Sequence, residues 1–313
     1  MSSCSFGKHV FFMKFTFLIT YCLFIFSSCQ TDHGKLRVLA SLPNHLNEIS
    51  GIENVSGSSL IWMVNDSGND ASVYAYNVVT NRIEKELSLT NAENNDWEDL
   101  ASDAAGNLYV GDFGNNRNNR KDLAIYKIPK LNTISTNETE AIKTTFYLED
   151  QKEFPPKRKQ RNFDIEAFLV HDGNFYLFTR NRSSKFDGTV KVYRLPVAPG
   201  DHQATLLSSF KICANKSGCQ ITSASLHHTS NVAVLLSYDK VWLIEDFSEA
   251  KLKKAQFKLI TPNHLTSCII HMGTTFLLSC KFQCRYVHNV RYGWFRDRFR
   301  RHKGTGRTCC RYI

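Results

Sequence analysis

Glu48, Glu98 and Glu166 each stand at the start of a short apolar segment. One turn and one further apolar segment after each comes a loop rich in Asp, Gly and Asn: Asp66 and Asn69, Asp112 and Asn115, and Asn181. Carboxylate and amide oxygens are hard ligands, the donor type that suits Ca²⁺. If a fold gathered these residues, the carboxylates would repel one another unless a cation or protons compensated. A Ca²⁺ so held could polarise an ester, lactone or phosphate oxygen, with a nearby carboxylate as general base. The same residue types have a second, structural use. Glu and Asp beside strand starts accept backbone N–H bonds, and Asp, Gly and Asn are the residues that tight turns require. Both uses are open at this point.

The elements that carry these residues recur. EISGI, a Gly/Ser turn, LIWMV and NDSGN begin at Glu48; EDLA, Gly106-Asn107, LYV and GDFGNN begin at Glu98. EAFLV, DGN, FYLF and TRNR begin at Glu166, TSASL, TSN, VAVLL and SYD at Thr222, and a weaker fifth copy at Thr266. Each reads as strand, tight turn, strand, polar loop. Further Val-, Ile-, Tyr- and Thr-rich stretches lie between the copies, as at 72–79, 82–89 and 189–195. That gives four strands in roughly 50 residues, the signature of a propeller blade. The expectation is an all-β chain, a β-propeller of about five to six four-stranded blades over residues 30–280. A sandwich gives no reason for the recurring acidic positions. In a propeller the first strand of every blade lines the channel, so Glu48, Glu98 and Glu166, with Thr222 and Thr266, would form a ring on one axis. Trp62 and Trp97 read as blade-packing aromatics. The segment before Glu48, LRVLA, would complete the last blade and remove an open edge.

The formal charge of +10 is unevenly spread. Residues 281–313 carry ten Lys/Arg and one acid, Asp297, leaving 29 basic and 28 acidic groups in the first 280 residues. A near-neutral body does not indicate a nucleic-acid-binding surface. Most of the ten cysteines lie near the two ends. Cys213 and Cys219 alone belong to the body, where an oxidising compartment would allow them to close a loop over ANKSG; two free thiols are the alternative. Met13–Gln30 has a short basic start, an apolar run and small residues before Cys29. That is a secretory signal occupying residues 1–29, with Met13 a second candidate start. Ser27-Ser28-Cys29 is similar to a lipoprotein box, in which Cys29 is lipidated, so the expectation is an exported protein held to the cell envelope by a lipid anchor. QKEFPPKRKQR (151–161) reads as a solvated loop between blades. After about Cys268 the strand grammar decays, and 281–313 reads as a basic, Cys-containing tail, either degenerate or out of frame, that would leave the last blade incomplete. No Gly-x-Ser-x-Gly, HExxH, zinc or EF-hand spacing occurs.

EISGI, NDSGN, DWEDLA, GDFGNN and DIEAF, with FYLFTRNRS and KVYRLPVAPG, resemble a family of uncharacterised envelope lipoproteins of Bacteroidetes-type bacteria over roughly residues 36–260. More distantly the chain is similar to SdiA-regulated and phytase-like propellers and to gluconolactonase and paraoxonase propellers. The near resemblance implies a propeller in the cell envelope that binds a ligand or partner, with no established reaction. The distant one implies axial Ca²⁺ and, as the alternative function, a Ca²⁺-dependent lactone, ester or phosphoester hydrolase.

Overall fold

The computed structural model describes residues 36–46, 48–216, 218–238, 240–260, 268–272, 275–279 and 286–291. Cys29 and the leader, Thr266, and residues 292–313 lie outside the described residues.

The chain opens on β1 (Leu36–Ser41) and then builds sheets of four antiparallel strands. The first blade is β2 (Ile49–Glu53), β3 (Ile61–Asn65), β4 (Ser72–Asn77) and β5 (Arg82–Leu89). The second is β6 (Trp97–Ser102), β7 (Leu108–Asp112), β8 (Leu123–Ile128) and, after the short β9 (Glu138–Thr139), β10 (Ile142–Leu148). The third is β11 (Asp164–His171), β12 (Asn174–Arg180), β13 (Thr189–Pro196) and β14 (Gly200–Lys211). The fourth is β15 (Ile221–His227), β16 (Val232–Ser237), β17 (Val241–Ile244) and, after helix α1 (Glu249–Lys253), β18 (Lys258–Ile260). The fifth is β19 (Cys268–Met272), β20 (Thr275–Ser279) and β21 (Tyr286–Arg291), with β1 pairing on β21 as its outer strand.

The first strands pack in a ring: β2 beside β6, then β11, β15, β19 and back to β2. Over the described residues the protein is therefore an all-β propeller of five blades, closed by pairing β1 with β21. Tyr286–Arg291, which falls in the segment expected to be a tail, is a strand of that last blade. Its sequence carries little alternation, and one of its backbone partners, β1, lies far from it along the chain, so the local pattern gave no sign of it.

Burial explains the grammar of the strands. Inner strands are covered on both faces, so ISGIE, WEDLAS and ITSASL show no polar/apolar alternation and every residue from Ile49 to Glu53 and from Trp97 to Ser102 is buried. Outer strands keep one wet face, so Arg82–Leu89 alternates. The apolar core is split into wedges between blades. Trp62, Trp97 and Tyr126 fill the first, Phe113, Phe168 and Phe175 the second, and Phe178, Trp242 and Phe247 the third. The turn after each inner strand needs a left-handed residue. Gly57 (φ +78°), Gly106 (φ +79°), Gly173 (φ +71°) and Asn231 (φ +50°) supply it.

The outer rims are laced. β9 pairs in parallel with β5, joining blades one and two. β14 pairs in parallel with β10 over its first residues and then antiparallel with β13, joining blades two and three in one sheet. Glu249 of α1 accepts from Arg194 (2.9 Å), tying blade four to blade three. Cys213 and Cys219 form a disulfide. Among the described residues no helix is long and apolar enough to cross a membrane.

Candidate functional site

Antiparallel blades put the inner-strand starts and the loops after the second strands at the same end of the channel, here called the mouth. A bulge at the same place in each of the first four inner strands decides what faces the axis there. The pairing slips between Ile49 and Gly51, Trp97 and Asp99, Ile165 and Ala167, and Ile221 and Ser223. A bulge adds one residue opposite an unchanged partner strand and re-aims its side chain. The equivalent bulged residues are thus Ser50, Glu98, Glu166 and Thr222. Glu48 belongs two residues earlier, with Asp96, Asp164 and Gln220. The ring expected from the sequence is therefore two adjacent rings, with Glu48 in the outer one.

Within these rings the acids divide into two groups. Ligand oxygens of Asp66, Asp96 and Glu98 all lie within 4.8 Å of one another. Asp66 begins the loop after β3, and its N–H donates to Glu48 O (2.8 Å); in the next blade Gly114 N–H donates to Asp96 O (3.1 Å). Gly114 thus holds in blade two the place that Asp66 holds in blade one. A Cβ at position 114 would collide with the carboxylates of Asp96 and Glu98, so glycine there keeps clear the space over these groups. Asp66 also caps its own loop, accepting from Ser67 N–H (2.6 Å). Glu48 is exposed and accepts from Asn69 Nδ2 (2.9 Å) beside this group.

The second group is neutralised by arginine. Glu166 accepts from Arg180 (3.1 Å) and Arg182 (2.8 Å), and Arg182 also pairs with Asp164. Burial, then the charge of Glu166, pushes Asp164 up to about 7 against the opposing pull of Arg182. Burial works against the charge on Arg182, but Asp164 and Glu166 more than offset it, and Glu98 adds to the effect. Arg180 spans to blade four, donating to the Tyr238 hydroxyl. The mouth therefore has a carboxylate side, on blades one and two, and a guanidinium side on blade three.

The other expected ligands are built into loops. Asp112 is buried, pairs with Arg120 (3.0 Å) and accepts from Asp96 N–H (3.0 Å); burial raises its pKa. Asn115 accepts from Asn119 and Arg120 N–H (2.8 and 3.0 Å), and its own N–H donates to Asp164 (2.6 Å). Asn181 accepts from Ser183 N–H (2.9 Å). All three shape the mouth. Arg180 and Arg182 were not among the residues expected at the site, and Asp96 stood out in the sequence only as one of the acids that make the entry to blade two the most acid-rich. The runs DWED and TRNR, with their high density of charge beside strand ends, were the sequence signal for them.

Inward from the mouth the axis is blocked. Asp99 is fully buried and accepts from Phe168 N–H and Ala224 N–H (both 3.2 Å) and Ser223 Oγ (3.0 Å), on blades three and four. Its counterparts are Gly51, Ala167 and Ser223, small residues that leave room for it. Gly51 is the tightest: a Cβ there would lie 2.8 Å from Leu100 N. Beyond Asp99, Glu53 is buried and accepts from Ser102 Oγ (3.1 Å), and burial raises its pKa well above the ordinary carboxylate value.

No family model matches the sequence, and no curated protein matches it. Solved structures similar to the chain include one from a nidogen/laminin complex, with TM-score 0.45 and 9% identity, covering 74% of this chain and 72% of that one. Another is a catalytically inactive variant of virginiamycin B lyase from Staphylococcus aureus with quinupristin, with TM-score 0.37 and 12% identity, covering 80% and 68%.

Proposed function

We propose that the protein is an exported, lipid-anchored β-propeller that binds a ligand or partner at its channel mouth by way of Ca²⁺ held at Asp66, Asp96 and Glu98. One observation carries this reading: three carboxylates from two blades converge within 4.8 Å, under a glycine whose missing side chain leaves them room. The donor set fits a hard cation. Ca²⁺ takes six to eight oxygens, so three carboxylates leave positions for an incoming ligand. Export is supported by the leader-like Met13–Gln30 with Cys29 at its end, and by a disulfide of the kind that persists in oxidising compartments.

Calorimetry and melting of the purified protein with Ca²⁺ test the site. The expected result is binding heat and a raised melting temperature, both lost in Glu98→Gln. No heat and no shift in the unaltered protein retires the cation. Metabolic labelling with a radioactive fatty acid, lost in Cys29→Ala, tests the anchor.

A second reading is a Ca²⁺-dependent lactone, ester or phosphoester hydrolase. The favouring observation is Arg182, close enough to Glu98 to feel its charge; a guanidinium beside the reacting group would steady an oxyanion. Bound Ca²⁺ would supply Lewis acidity there. Glu98→Gln should then reduce kcat and not affinity alone.

A further inference from the structure

The most basic stretch of the body is the connection between blades two and three, and it is a fixed platform. Gln151 is buried and donates to Asn118 O (2.9 Å). Ser184 N–H donates to Arg158 O (3.0 Å), and Gln160 N–H to Lys157 O (2.7 Å). Lys121 lies over the Phe154 ring, 5.1 Å from its centre. Three loops, 113–122, 149–163 and 181–188, are thereby bound together beside the mouth. They present Lys121, Lys152, Lys157, Arg158, Lys159 and Lys185, all exposed. None of these six is in an ion pair among the described residues, whereas the neighbouring Asp112, Asp122, Asp150 and Asp187 already have cationic partners.

We propose that this rim is a docking surface for an acidic polysaccharide, a chain whose regularly spaced carboxylate or sulfate groups meet the row of unpaired cations. The chemistry of the surface favours this partner over other polyanions. Among the described residues the exposed large apolar side chains are Val79, Ile142, Tyr147 and Leu259, none of them on these loops, so none of these side chains would insert the rim into a bilayer. Phe154 and Phe186 are half-buried, so no open aromatic face awaits a stacked base. A charged polysaccharide needs neither, and a fixed array of cations loses little entropy on meeting it. None of the six cations belongs to the charged groups of the mouth, and the proposal does not depend on Ca²⁺.

The test uses the purified protein in EDTA, so that no cation bridges a ligand to the mouth, with polygalacturonate and heparin as probes. Both acid types are represented, and binding of either supports the proposal. Affinity should fall steeply with salt. The triple variant Lys157→Ser, Arg158→Ser, Lys159→Ser should bind about tenfold or more weakly, since charge contacts of this kind dominate affinity for a polyanion. Its melting temperature should not move, because the three side chains are exposed. A control triple, Arg82→Ser, Lys143→Ser, Lys254→Ser, removes equal charge elsewhere and should bind as the unaltered protein does. The proposal is overturned if neither probe binds, if both triples weaken binding alike, or if anionic vesicles or duplex DNA bind more tightly than either probe. Heat from Ca²⁺ should be unchanged in the rim variant, which keeps failure here distinct from failure of the metal site.

Discussion

Asp99 Oδ1 accepts a 3.0 Å hydrogen bond from Ser223 Oγ, across the axis and 124 residues away in the chain. The other oxygen of Asp99 takes N–H groups from Phe168 and Ala224, so one carboxylate joins blades two, three and four at the centre of the ring. Replacing it with alanine leaves buried donors without their acceptor. Each such group costs about 1–3 kcal/mol, so Asp99→Ala should lose on the order of 3 kcal/mol or more in urea unfolding. Asp99→Asn, which keeps an acceptor oxygen, should lose less. Equal stability of all three proteins would remove the central role assigned to this carboxylate.

Asp164 gives the fold a pH dependence. Its folded-state pKa of about 7 lies above the ordinary 3.8. Its contribution to stability is therefore full below the unfolded value and is lost as pH rises through the folded one. Denaturation midpoints should decline between about pH 4 and about pH 7, and Asp164→Asn should make that decline shallower. An unchanged slope in the variant would place the titration elsewhere.

Gly114→Ala tests the mouth without altering a ligand. Its Cβ meets the Asp96 and Glu98 carboxylates. The Ca²⁺-dependent rise in melting temperature should shrink in this variant. Saturation at about a hundred times Kd adds about 2.7 kcal/mol to a protein that binds only when folded. A variant that retains the full rise would show that any cation sits somewhere else.

The Cys213–Cys219 bridge closes a short loop, with a sequence separation of 6. Loop-closure entropy for that length corresponds to about 2 kcal/mol. Cys213→Ser with Cys219→Ser should lower unfolding stability by about that amount, and reductant should then have no further effect on the melting transition.

The blade pattern was legible in the sequence because each copy must write the same strand, left-handed turn and strand: Gly57, Gly106, Gly173 and Asn231 mark the same corner four times. The positions of Asp66 and Glu98 could be read for the same reason. The place of Glu48 could not. It lies two residues before the bulged position that Glu98 and Glu166 occupy in their blades, and a bulge leaves no trace in polar alternation by which to align the copies. Nor could the sequence separate Glu98 from Glu166. Both are bulged acids on inner strands, but Glu166 is held by Arg180 and Arg182 from the following strand and loop, a pairing that only the curl of blade three creates. Asp112 and Asn115 share the residue types of a ligand set, yet Arg120 and the chain from 113 to 120 fold back on them and use their oxygens. The strand Tyr286–Arg291 escaped for a third reason, since one of its two partners, β1, is supplied by a distant part of the chain.

The shared strand β14 constrains how the ring can breathe. With β14 hydrogen-bonded to both β10 and β13, blades two and three form one continuous backbone ladder, and β9, from the chain between β8 and β10, clasps the edge of blade one. An iris that widened evenly would have to tear those ladders. Any dilation on taking up a large guest must instead fall on the seams without such a ladder, those on either side of blade four and blade five, like a bracelet that opens at its loose links.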